Sequence, residues 1–305
     1  MTVALLIPPR RRDLGGFQVS RLLPHHTRRL VGPFVFFDEM GPTDFAPGQG
    51  LEVRAHPHIG LATLTYLFKG RIRHRDTTGA DQVIEPGAVN LMIAGGGIVH
   101  SERSTQGDIA AGHHLHGLQL WLALPKQHEQ GPASFHHIAP MKTLEREGVA
   151  ITVVLGDLDG VRSDVPFPHP ALMLDAHMPA GASLALPAGP DRALFTTDAG
   201  VQVNGEALQP GALAVLAPGA VTVTADQTAR LILVGGEPLP EPRHIDWNFV
   251  ASDPALIAAA REDWIAAPGA RFSGRFALPQ DETDYIPLPG QTEGAVKPSL
   301  DCPTS

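Results

Sequence analysis

Cysteine is nearly absent from this chain. Cys302 is the single one in 305 residues, so no intramolecular disulfide can form, and the composition fits a reducing cytoplasm. Because Cys302 lies in a tail containing Pro and Ser, it reads as an inert exposed thiol rather than a redox centre. Positive charge is also scarce: 23 Lys and Arg against 32 Asp and Glu give a formal charge of −9. Duplex binding wants a concentrated basic surface, and Arg10-Arg11-Arg12 is too short to make one, so nucleic acid is not expected as a direct partner. No apolar run approaches the length that spans a bilayer. The stretch Val3 to Ile7 is too short for a signal-peptide core and has no basic segment before it. A soluble, cytoplasmic protein without a membrane partner is expected. Helical periodicity is scarce too. It is clear only from about Pro254 to Ala267, where Asp253 can cap, Pro254 sits in the first turn, and Leu256, Ala260 and Trp264 recur every four residues. Pro268-Gly269 then ends it.

What the chain has in quantity is turn signals. Its 32 Gly and 29 Pro punctuate short runs rich in Val, Ile, Leu and Thr, among them Leu61–Phe68, Ala88–Ile93, Leu118–Leu124 and Ile151–Leu155. That rhythm indicates an all-β sandwich or barrel. The length and the hydrophobic fraction of 43% suit two domains of ordinary size. An internal echo points the same way. Ile84-Glu85-Pro86-Gly87-Ala88-Val89 is matched by Leu208-Gln209-Pro210-Gly211-Ala212-Leu213, with similar flanking spacing, as if one small β-barrel had been duplicated. Aligning Pro86 with Pro210 sets Thr224 opposite His100, so the second copy lacks the residues that make the first one interesting.

Those residues are His56-Pro57-His58 and His100-Ser101-Glu102. Side chains two apart on a strand project to the same side, so each pair can aim both members into one space. Three imidazoles and one carboxylate suit a borderline divalent ion such as iron, manganese, nickel, cobalt, copper or zinc. Such a set leaves positions open on a six-coordinate ion, which is what chemistry needs. Glu102 has a second reading, as an acceptor that orients a histidine.

Several longer motifs give these residues a context. Phe37-Asp38-Glu39-Met40-Gly41-Pro42, His56-Pro57-His58-Ile59-Gly60, Thr65-Tyr66-Leu67, His74-Arg75-Asp76, Gly97-Ile98-Val99-His100-Ser101-Glu102 and Gly117-Leu118-Gln119-Leu120-Trp121 together resemble the pirin family. The match is specific across about residues 30–125 and weaker beyond. The resemblance implies a bicupin, two tandem β-barrel (jelly-roll) domains with a short C-terminal helix. It implies a metal-binding cupin domain over residues 1–130 and a metal-free cupin domain with helix and tail over 131–305. It also implies one divalent metal per chain, usually iron, on His56, His58, His100 and Glu102. Several members show quercetin 2,3-dioxygenase activity, so the same competence is expected here, with Glu102 expected to alternate between ligand and general base. They also act as iron- and redox-dependent protein partners of transcription factors or metabolic enzymes, which is the rival reading.

Other features have plainer readings. His113, His114 and His116 are expected to be ordinary strand and loop histidines, with an additional site or a place at the pocket mouth as the alternative. His74 and Asp76 are expected to form a hydrogen-bonded pair on the barrel wall. Gly95-Gly96-Gly97 reads as a tight turn, because no helix follows to hold a phosphate. Phe36, Phe37 and Met40 read as core, and Gln119 suits either the core or the pocket.

Overall fold

The computed structural model describes residues 2–13 and 17–291, so Cys302 lies outside the described residues. The chain folds into two β-sandwich units. In the first, a seven-stranded antiparallel sheet runs Ser134–Ile138, Val89–Ile93, Leu61–Lys69, His113–Ala123, Phe34–Phe45, Gln18–Leu23, Arg10–Asp13. It is paired with a four-stranded sheet in the order Glu52–His58, Ile98–Arg103, Ile72–Asp76, Asp81–Ile84. The second unit repeats the plan. Its small sheet runs Ser183–Ala185, Thr222–Ala225, Val201–Val203, Glu206–Ala207, the same order one copy later. In both units the echoed Pro-Gly turn carries the chain from the edge of the small sheet into the large one, with Gly87 and Gly211 at φ 89° and 74°. Each unit is a jelly roll of two packed sheets rather than a closed barrel.

Burial explains the layering. Alternation along the strands puts one set of apolar side chains between the two sheets of a unit, such as Met40, Leu67 and Leu115 against Leu51, Ile72 and Ile84. The other faces of the two large sheets meet back to back. Phe37, Leu64 and Leu120 of the first pack with Phe195, Ile232 and Val234 of the second, and the Phe37 and Phe195 rings lie 5.2 Å apart. Polar bonds also join the two units, among them that of the Tyr66 hydroxyl, which donates to Asp175 Oδ2 at 2.7 Å. Strand pairing also crosses the division we propose near residue 130. Val3–Ile7 joins the second large sheet beside Leu213–Leu216, and Ser134–Ile138 closes the first beside Val89–Ile93.

The end of the described chain returns to the first unit. The expected helix forms over Pro254–Ala266, and its cap Asp253 accepts from the Ala255 amide at 2.9 Å. Its buried stripe is Ile257, Ala260 and Trp264, with Leu256 only partly covered. A second, short helix at Gln106–Ala111 is too brief to show periodicity in sequence. Together with Phe249, Phe276 and Tyr285, the long helix packs on Ala55, Ile59 and Val99, the outward residues of the two strands that carry the histidine motifs. The approach is tight at Gly60. Its φ is +66°, and a Cβ there would sit 1.9 Å from the Val250 carbonyl oxygen, so only glycine fits. Among the described residues no helix is long and apolar enough to cross a membrane.

Candidate metal centre

Register brings the two motifs together. In the small sheet His100 lies opposite His56 and Ile98 opposite His58, so both pairs of i, i+2 residues face the space between the sheets. A register shift after His100 places Glu102 opposite Val53, and on the other side Glu102 faces His74 across the next strand. The ring nitrogens of His56, His58 and His100 lie within 4.8 Å of one another. Glu102 belongs to a second such group with His100 and His74 rather than to the first, although it lines the same cavity as His56 and His58.

Hydrogen bonds fix the histidine tautomers. A carbonyl only accepts, so His56 donates from Nδ1 to Arg54 O at 2.9 Å, and His58 donates from Nδ1 to Asn248 O at 3.0 Å. Burial then holds the rings neutral. It depresses the His56 pKa to about 4, even though the Arg54 carbonyl favours the charged form, and it pushes His58 and His100 well below the usual range. A neutral ring protonated at Nδ1 leaves the Nε2 lone pair bare. His58 Nε2 and His100 Nε2 lie 3.0 Å apart. Two nitrogens about 2.1 Å from one ion and at right angles about it would be about 3.0 Å from each other. The donor set therefore fits a divalent metal.

Glu102 sits in a sparse polar setting. Gln119 Nε2 donates to its Oε1 at 3.3 Å and the Thr65 hydroxyl approaches the same oxygen at 3.5 Å, while Thr65 also donates to Gln119 Oε1 at 2.8 Å. Desolvation raises the Glu102 pKa above the ordinary carboxylate value, against the opposing influence of His74 and of these bonds. Gln119 thus belongs to the pocket.

The cavity in front of these groups measures about 370 Å³, within the range of small-molecule sites. Its walls are largely aromatic and aliphatic. Phe36 stacks on Trp121 with centroids 4.0 Å apart, and Trp121 meets His58 edge-on at 5.0 Å. Arg21 lies over Phe36 at 4.4 Å and is gripped by Asp38 through two bonds of 2.9 and 2.8 Å. Phe36 and Met40, expected as core, are buried but also wall this cavity, whereas Phe37 is core alone. Trp247, Asn248 and Ile286 supply a wall from the far end of the chain. No local motif announces them, since Asn248 acts through its backbone.

The remaining histidines are accounted for elsewhere. His74 bonds Asp76 at 2.8 Å, the pair expected from sequence, but it also reaches His100. His113 bonds Ser104 at 2.8 Å and stacks on Phe45; His114 bonds exposed Asp44; His116 bonds Glu39 at 3.0 Å. Among the described residues none of these three joins a group that could hold a metal. Both such groups lie in the first unit.

Comparison with known proteins agrees with this architecture. The Pirin family model matches residues 16–122, and the model of the pirin C-terminal cupin domain matches residues 173–269. The chain belongs to the pirin family. A pirin-like protein of Caulobacter vibrioides is 43% identical over 94% of this chain and 99% of its own length. A quercetin 2,3-dioxygenase candidate of Pseudomonas aeruginosa is 37% identical over 90% of this chain and 87% of its own. In structure, quercetin 2,3-dioxygenase from Acinetobacter baumannii superposes with a TM-score of 0.85 at 31% identity, covering 95% of this chain and 97% of that one. The fold is therefore a bicupin, all-β with a short C-terminal helix, in which this pirin's two jelly rolls are the two cupin units.

Proposed function

We propose that this pirin holds one divalent metal ion, iron foremost, on His56, His58, His100 and Glu102, and that it is a dioxygenase competent to cleave flavonols such as quercetin. The observation that carries the reading is the 3.0 Å approach of two neutral histidine nitrogens at the wall of an aromatic cavity. Relatives that bear the quercetin 2,3-dioxygenase name over nearly the whole chain support the reaction class. When bound, the metal supplies Lewis acidity that lowers the pKa of a flavonol hydroxyl and one-electron exchange with dioxygen.

The protein's own part is binding, orientation and proton handling. The stacked Phe36 and Trp121 offer a flat apolar wall for an aromatic substrate. Trp247 and Ile286 add further apolar surface to the same cavity. Glu102, buried at the edge of the cavity, would accept the proton that the substrate hydroxyl releases, while Gln119, itself held by the Thr65 hydroxyl, donates to one of its oxygens. Arg21, fixed by Asp38, presents a positive group to the same cavity and complements an electron-rich substrate.

The test is anaerobic reconstitution with iron(II), manganese, nickel, cobalt or copper, followed by oxygen uptake with quercetin. Wild type is run beside His56→Ala and Glu102→Gln. The expected result is metal-dependent uptake stoichiometric with flavonol loss, abolished in His56→Ala and reduced about 10²–10⁴-fold in Glu102→Gln. Tight metal binding with no uptake from any ion would move the reading to a metal- and redox-sensing protein that acts on a protein partner.

A further inference from the structure

The three clustered histidines are not held alike. His56 and His58 donate their Nδ1 protons to backbone carbonyls, which are neutral acceptors. His100 instead meets another ring: its Nδ1 lies 3.4 Å from His74 Nδ1, with centroids 5.1 Å apart. Behind it, His74 Nε2 lies 2.8 Å from Asp76 Oδ2. The second oxygen of Asp76 accepts from the Thr78 amide at 2.7 Å and from the Thr78 hydroxyl at 2.5 Å. Both Asp76 oxygens are thus acceptors, which is the pattern of an ionised carboxylate.

Proton positions follow from that end. The carboxylate requires His74 to donate from Nε2, so the Nδ1 of a neutral His74 is a lone pair. That lone pair faces His100 and requires a proton on His100 Nδ1. His100 then presents a bare Nε2 toward His58 Nε2. Neither nitrogen of His74 is left to ligate, although its ring belongs to the second cluster of possible ligands. His74 and Asp76 are each 2% exposed and stay out of the cavity, and Phe135 stacks on His74 at 4.5 Å. They cannot touch substrate.

We propose that Asp76 and His74 form a relay that fixes the tautomer of His100 and makes it the strongest nitrogen donor to the metal, biasing the site toward the higher oxidation state. Carboxylates behind metal-bound histidines raise ligand basicity in this way; here a second imidazole carries the effect one ring further. His74 and Asp76 are positioning residues, and the inference rests on the metal reading given above.

The experiment compares wild type with Asp76→Asn and His74→Phe at one fixed pH. Cobalt(II) affinity and its visible spectrum are measured, then the midpoint potential of the iron-loaded protein. Both variants should bind cobalt(II) about 10–100-fold more weakly with a shifted spectrum. The iron potential should rise, by about 59 mV for each tenfold loss in the preference for iron(III) over iron(II). Asp76→Asn also disturbs the Thr78 turn. His74→Phe leaves that turn intact and keeps a ring against Phe135, so it decides alone if the first variant does not fold. Wild-type affinity, spectrum and potential in a folded variant overturn the relay. Wild type that takes up no metal overturns the site reading, and the relay with it.

Discussion

Acidifying the metal-free protein from pH 7 to pH 5 should destabilise it through the buried histidines, and His56 sets the scale. In the unfolded chain its imidazole titrates near 6.5, whereas burial holds it at about 4 in the fold. Between those values the unfolded state binds a proton that the folded state refuses, so stability rises with pH across this window and is lost as pH falls through it. Integrating from pH 7 to pH 5 gives a loss of about 2 kcal/mol for this one group. His58 and His100 are also depressed by burial and add losses of the same sign. Against a total stability of about 5–15 kcal/mol, that is a large fraction. The assay is urea unfolding of chelator-treated protein at both pH values, for wild type and His56→Leu. The leucine variant should lose less stability than wild type over the interval, by about 2 kcal/mol. Equal slopes would show that His56 is not held neutral by its surroundings, and would refute the reasoning.

Other substitutions follow from single contacts. Gly60→Ala should cost about 1–2 kcal/mol for its left-handed backbone alone, and more because the added carbon meets Val250 O. The same variant should weaken metal uptake by dislodging Asn248 from His58; unchanged unfolding and unchanged cobalt(II) affinity would contradict both. Tyr66→Phe removes the bond to a fully buried carboxylate between the two units, and should lower stability by about 1.5–3 kcal/mol. A denaturant midpoint equal to that of wild type would show that Arg230, 3.1 Å from Asp175, satisfies that charge alone.

Much of the fold was readable because its signals are local. The Pro-Gly echo marks equivalent turns, and Asp253-Pro254 marks a real helix start. The i, i+2 spacing of the histidines needed only the two-residue period of a strand. What could not be read depends on register or on distance along the chain. A register shift between His100 and Glu102 decides which neighbours Glu102 meets, and sequence does not show it. His74-Arg75-Asp76 was visible as a pair, but its contact with His100 follows from the pairing of Ile72–Asp76 with Ile98–Arg103. Val3–Ile7 reads as an isolated apolar run until the second large sheet is assembled around it. Asn248 contributes a carbonyl, which any residue has.

That carbonyl has a consequence for the timing of maturation. His58 and its acceptor are separated by 190 residues. At about 5–20 residues per second, a ribosome needs about 10–40 s to cover that interval. Throughout it, the segment with both His56 and His58 has been made while the group that holds the His58 proton on Nδ1 has not. In the proposed metal site, His58 therefore gains its orienting acceptor only once the segment around Asn248 has been made.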